Sequence, residues 1–150
     1  MPTPSPVAIA VQKISASPER VYDAILDPDM IARFMFGPLL REEEILHIRN
    51  DPRVGATFSY KVRRLNQTGG SDDIDHVGTY LELVRPTRIV FTWAIAPDTN
   101  GSTVAIDIAP TADGCTITLT HEMAPEWATF IDRARTSWEK MLGVLSNLLA

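Results

Sequence analysis

The sequence predicts an α+β fold in which a curved antiparallel sheet of about six to seven strands closes around one long C-terminal helix. Three observations carry this. Residues 125–149 are apolar at three- and four-residue spacing: Trp127, Phe130, Ile131, Ala134, Trp138, Met141, Leu142, Leu145, Leu148 and Leu149 share one broad face. Residues 44–122 run as short alternating segments separated by turn residues. Two short helical patterns stand between the first strand-like segment and this meander.

Taken in order, residues 7–15 alternate loosely and are β-branched, which reads as a strand. Ser17-Pro18-Glu19 then supplies an N-cap, a first-turn proline and an early carboxylate. The helix that follows carries Val21, Ala24 and Ile25 and ends at Asp27-Pro28, because a residue before proline avoids helical angles. A second helix, 28–36, presents Met30, Ile31, Phe34 and Met35 and stops at Gly37-Pro38. Strands are expected over 44–49, 56–64, 74–84, 88–96, 103–109 and 115–122. Residues 50–55, 66–73, 85–87, 97–101 and 110–114 form the turns between them. Phe58, Tyr60 and Val62 share a face, as do Ile89, Phe91, Trp93 and Ile95. In 74–84 the inward set is read as Val77, Thr79, Leu81 and Leu83, with His76, Tyr80 and Glu82 outward. Val104, Ile106 and Ile108 face the same way as Ile117, Leu119 and His121. The closing helix begins at Pro125, with Glu126 against its positive end, and is about 36 Å long at 1.5 Å per residue. Its apolar face is too wide to leave in water, and the apolar face of the sheet is the surface that can cover it.

At 150 residues the chain reads as a single domain, 1–150, with a proline-rich extended lead over 1–6. The formal charge of -5 and the lack of a Lys/Arg cluster argue against nucleic acid as a partner. No apolar run approaches the ~18 residues of a membrane span, and the N-terminus has neither a basic nor an apolar leader region. One cysteine, Cys115, allows no internal disulfide and fits a cytoplasmic setting. Three scattered histidines do not match zinc spacings, and nucleophile-elbow, phosphate-loop and dinucleotide fingerprints are missing. No metal or cofactor is expected.

The segments SPERVYDAI (17–25), DPRVGATF (51–58), GTYLEL (78–83) through PTRIVFTW (86–93), TITLTH (116–121) and the helix carrying Trp138 resemble one family. The order of elements resembles the helix-grip fold of the START/Bet v 1-like (SRPBCC) superfamily. The local sequence resembles its bacterial single-domain members related to the activator of Hsp90 ATPase homologue 1 (AHSA1-like). The likeness runs over about residues 7–149. One departure is Ala56, where a second glycine often follows Gly55. The separate N-terminal domain of the eukaryotic co-chaperone is not in this sequence. The resemblance implies the helix-grip fold and a membership that includes hydrophobic-ligand carriers and polyketide cyclases. It also admits a homodimer and an Hsp90-type chaperone as partners.

A sheet gripping a helix leaves a space between the two as its default ligand site. The candidate ligand-binding residues are Phe34, Phe58, Tyr60, Thr79, Phe91, Trp93, His121, Phe130, Trp138 and Met141. Trp93 and Trp138 each offer a large ring and one N–H donor, and equally serve as core plugs. His121 sits on the apolar parity of its strand, as a hydrogen-bond donor, a base, or a histidine bonded to backbone. His76 reads as outward, and His47 has no partner in sequence. Asp72, Asp73 and Asp75 read as a solvated loop, as Glu42 to Glu44 read as a surface run. Cys115 reads as a small packed residue. These residues point to a non-catalytic binding protein for a small hydrophobic or aromatic ligand. Two alternatives accompany it: an Hsp90-activator-like interaction module, and a polyketide cyclase or hydrolase using a pocket histidine or tyrosine.

Overall fold

A computed structural model describes residues 5–37, 43–65, 68–97 and 101–150. Parts of five sequence expectations lie outside the described residues: most of the lead over 1–6, the stop at Pro38, Glu42, the start of the 66–73 turn, and 98–100 in the 97–101 turn. The chain runs β1 (Val7–Ile14), α1 (Pro18–Leu26), α2 (Pro28–Phe36), β2 (Glu43–Asn50), β3 (Thr57–Leu65), β4 (Ser71–Val84), β5 (Arg88–Ile95), β6 (Ser102–Thr111) and β7 (Gly114–Glu122). A 3-10 segment (Pro125–Phe130) and α3 (Ile131–Leu149) close it. The seven strands form one antiparallel sheet in the order β1-β7-β6-β5-β4-β3-β2. This is the expected helix-grip architecture, with both short helices where the cap at Ser17 and the breaks at Pro28 and Gly37 placed them.

The caps form as their residue types dictate. Ser17 Oγ accepts from the Arg20 amide at 3.2 Å, and Asp27 Oδ1 accepts from the Asp29 amide at 3.0 Å. The Arg20 guanidinium reaches across the fold to the Leu149 carbonyl at 3.0 Å. It thus places a cation on the unpaired, negative end of α3.

The core is the layer between α3 and the concave face of the sheet. Trp138, Met141, Leu142, Leu145 and Leu149 supply the helix side. Ile89, Ile106, Ile117 and Leu119 supply the sheet side, with Ile31, Phe34 and Met35 of α2 at one end. The inward sets expected on β3, β6 and β7 are all buried.

Four expectations are corrected. Residues 125–149 are not one α-helix: the first six wind as a 3-10 helix, and no residue before Trp138 is buried. Three residues per turn aligns Trp127 with Phe130, so their rings pack on each other at 5.2 Å and stay 50% and 40% exposed. The parity of β4 is reversed over its first part, where His76 and Tyr80 are buried and Leu81 is exposed. A bulge at Leu81 shifts the pairing from Tyr80↔Phe91 to Glu82↔Val90, and Leu83 returns to the core side. Ile95, expected in line with Trp93, is exposed.

The 66–73 turn is also shorter than expected, because β4 begins at Ser71. Asp72 and Asp73 pair in the ladder opposite Arg64 and Arg63. Arg63 bonds Asp73 at 2.9 Å and holds its carboxyl below the usual range.

Leu145 is fully buried at the centre of the layer. Leu145→Ala should therefore lower unfolding stability by about 2–5 kcal/mol, read from the urea midpoint at unchanged slope.

Candidate functional site

The ten candidate residues separate into groups once placed. Phe34, Phe58, Tyr60, Phe91 and Trp138 line one interior cavity between α3, α2 and the sheet. Its volume is about 20 Å³, on the scale of a single water. Tyr80, Leu142, the end of α1, Met35 and the aliphatic residues Ile89, Ile106 and Leu119 complete the lining. The rest of the space is taken by stacked and edge-on rings. Phe58 stacks on Tyr60 at 4.6 Å, meets Phe91 at 5.6 Å, and lies 5.9 Å from Trp93. Trp93 in turn meets Trp138 at 5.6 Å. Gly78 makes this packing possible: a Cβ there would collide with the Phe58 ring and the Thr92 carbonyl.

The other candidates do not line the cavity. Met141 is buried in the core beside it. Thr79 lies on the opposite side of β4, where its amide donates to Thr92 Oγ1 at 2.9 Å. Phe130 is on the surface, with the Arg133 guanidinium 5.8 Å from its ring centre.

His121 is 5% exposed and both its ring nitrogens are engaged. Trp138 Nε1–H donates to His121 Nδ1 at 3.0 Å. An indole can only donate, so Nδ1 is an acceptor and the neutral ring carries its proton on Nε2. Ser102 Oγ donates its hydrogen to the Trp93 carbonyl at 3.0 Å and so accepts from Nε2 at 2.5 Å. The chain Trp138–His121–Ser102–Trp93 thus has every proton assigned and ties α3 to β7, β6 and β5. Burial lowers the His121 pKa from 6.5 to about 4. The lone pair a base would use is committed to Trp138, and the serine hydrogen to a carbonyl.

A second polar cluster borders the cavity. Tyr80 donates to Asn50 Oδ1 at 2.6 Å, and Asn50 Nδ2 donates to the Leu26 carbonyl, the last of α1, at 2.7 Å. Tyr60 stands 3.4 Å from the same Asn50 oxygen. Burial pushes both phenols up, so neither ionises in the neutral range.

The remaining candidates have structural partners. His76, read as outward, is buried, with Nδ1 3.0 Å from the Tyr60 carbonyl and its ring 5.0 Å from Phe36. His47 is also partnered: Nε2 lies 2.8 Å from Ser59 Oγ, which donates to Asp75 at 2.6 Å. Cys115 is buried beside Ile14 on the neighbouring strand, and burial pushes its thiol up. No cluster of three or more potential metal ligands occurs among the described residues, and no helix there is long and apolar enough to cross a membrane. Tyr80, Asn50 and Ser102 were not singled out from sequence. Tyr80 was hidden by the bulge, and the other two needed long-range partners to stand out.

A seven-stranded sheet closed over one C-terminal helix, with two short helices inserted after the first strand, defines a helix-grip module. Within that class, a family profile described as "Activator of Hsp90 ATPase homolog 1-like protein" matches residues 15–150, and the chain belongs to this family. A crystal structure of a Chromobacterium violaceum protein is similar at 29% identity, with 97% of this chain and 98% of that one covered and a TM-score of 0.78. The AHSA1-like protein of Aeromonas hydrophila is similar in fold at 21% identity, with 94% and 90% covered and a TM-score of 0.74. The Aha1 dimer of Colwellia psychrerythraea is similar at 19% identity, with 95% of each chain covered and a TM-score of 0.70. No curated protein matches the sequence.

The His121 chain makes a prediction with a defined sign. The unfolded chain takes up this proton near pH 6.5, and the folded chain only near pH 4. Stability from this group is therefore complete above about pH 6.5 and lost as the pH falls towards 4, by about 3 kcal/mol over the window. Urea unfolding at about pH 7 and pH 5 should show the loss, and His121→Asn should flatten it. Carboxylates such as Asp23, held low by the Arg85 hydrogen bond, act below this window.

Proposed function

We propose that the chain works as a protein-interaction module of the Hsp90-activator type, acting through its surface. The observation that carries this is the filled interior. A cavity of about 20 Å³ stands against the roughly 300–1,000 Å³ of ordinary small-molecule sites. A hydrophobic-ligand carrier would first have to separate the Phe58, Trp93 and Trp138 rings. A cyclase or hydrolase would have to free His121 from its hydrogen bonds to Trp138 and Ser102. The family membership favours the same reading, because it is the name of that family that carries the chaperone.

The surface offers a compact contact. Trp127 and Phe130 are the exposed aromatic pair that precedes α3, and Arg133 stands over Phe130. Tryptophan and arginine are the side chains that most often dominate binding energy at protein interfaces. Because the pair is not buried, it can be cut back without opening the core.

The test is the ATPase rate of a cognate Hsp90-type chaperone titrated with the purified chain. The rate should rise saturably, and Trp127→Ala should weaken the apparent affinity by about tenfold or more, about 1.4 kcal/mol. No change in rate, together with no binding by calorimetry, would refute the proposal. Saturable uptake of an apolar fluorescent probe into the interior would instead return the reading to a ligand carrier.

A further inference from the structure

We propose that the open edge of β1 pairs with β1 of a second copy, antiparallel about Ile9, joining two sheets across a two-fold axis. The inference is separate from the chaperone reading, and its test contains this chain alone.

The phase of the strand sets the geometry. The Met123 amide donates to the Pro6 carbonyl at 2.9 Å, and Ala8 lies opposite His121. Even-numbered residues of β1 therefore exchange bonds with β7, and Val7, Ile9, Val11 and Lys13 turn their backbone groups the other way. Lys13 confirms the phase, because Ser146 Oγ on α3 donates to its carbonyl at 3.3 Å. Beyond it, β1 has no second neighbouring strand among the described residues.

Lys13 and the α3 contact to its carbonyl guard the far end of this edge, but from Val7 to Val11 it carries none of the charge, proline or bulge that usually protects an edge. The stretch Val7–Ile14 contains no proline and no bulge, and its pairing with β7 is continuous. Its outward side chains, Val7, Ile9 and Val11, are β-branched and 39%, 53% and 59% exposed. The opposite edge differs: β2 has a bulge between Ile45 and His47 and carries Glu43, Glu44 and Arg49.

The pattern selects a second copy as the occupant. With the axis at Ile9, Ile9 faces Ile9, and Val7 faces Val11 in both directions. All three are open-side residues, so each forms both of its backbone bonds, and no like charges stand opposite. Glu122 flanks Val7 at one end of the strip, and Lys13 closes the other. Antiparallel pairing brings the Lys13 end of each copy to the Glu122 end of the other, a complementary pair on both sides of the axis. An axis at Val11 would place the Lys13 carbonyl, already bonded to Ser146, in the ladder. An axis at Val7 would leave Val11 unpaired.

Sedimentation velocity on the full chain should show a concentration-dependent dimer. Ile9→Lys, which sets two ammonium groups face to face at the axis, should sediment as a monomer at concentrations where the native chain is dimeric, with an unchanged far-UV spectrum. Ile9→Cys should form a disulfide-linked dimer under mild oxidation, because opposed hydrogen-bonded residues lie about 5.5 Å apart, within disulfide range. Val54→Cys, equally exposed but in the turn after β2, should not. The Ile9→Cys result decides the matter if Ile9→Lys fails to fold. A native chain that stays monomeric, or a dimer in which Ile9→Cys does not cross-link, overturns the proposal.

Discussion

The structure depends on one helix that cannot stand in water and one sheet face that cannot either. The last turns of α3 carry Trp138, Met141, Leu142, Leu145 and Leu149 on a single stripe. Each such side chain contributes about 1.5–3 kcal/mol when taken fully out of water. Most of the stability of such a helix comes from packing this stripe rather than from intrinsic propensity. The sheet is therefore both the partner and the reason for the helix. Its curvature serves this contact, and α1 and α2 close the end that the strands leave uncovered.

The same contact sets what the interior can do. The widest side chains, contributed by β3, β4, β5 and α3, meet ring to ring where a ligand would sit. Hydrogen bonds then fix the rings that carry donors. Trp138 is held through His121 and Ser102, and Tyr80 through Asn50 to the end of α1. Buried polar groups of this kind stabilise when every member is satisfied and are costly when one is not. This arrangement makes the centre a closely packed polar-and-aromatic plug.

Much of this was legible in the sequence, for reasons that can be named. Pro18 and Pro28, each after a side chain able to cap, mark the starts of both short helices. Alternation placed seven strands and the inward sets of β3, β6 and β7. Reading failed where geometry broke the period. Leu81 looks like an ordinary member of an alternating strand, but the bulge there turns the preceding residues over, so simple alternation points to Thr79 where the fold buries Tyr80. Trp127 and Phe130 fit an α-helical stripe, but 3-10 winding carries them off it. The partners of His121 and His47 lie on other strands and on α3, and only folding brings them together. Five of the candidate residues reached the cavity wall because they sit on unbroken periods.

The position of β1 in the sheet has a consequence for how the molecule is made. Among the described residues the first strand has β7 as its one neighbouring strand, roughly a hundred residues later in the chain, and pairing between segments so far apart is slow to form. During synthesis β1 leaves the ribosome well before β7 has been made. It must wait through the whole meander before its template appears. Until then the segment is an unsatisfied, β-branched ribbon, the kind of surface that folding helpers in the cell shield.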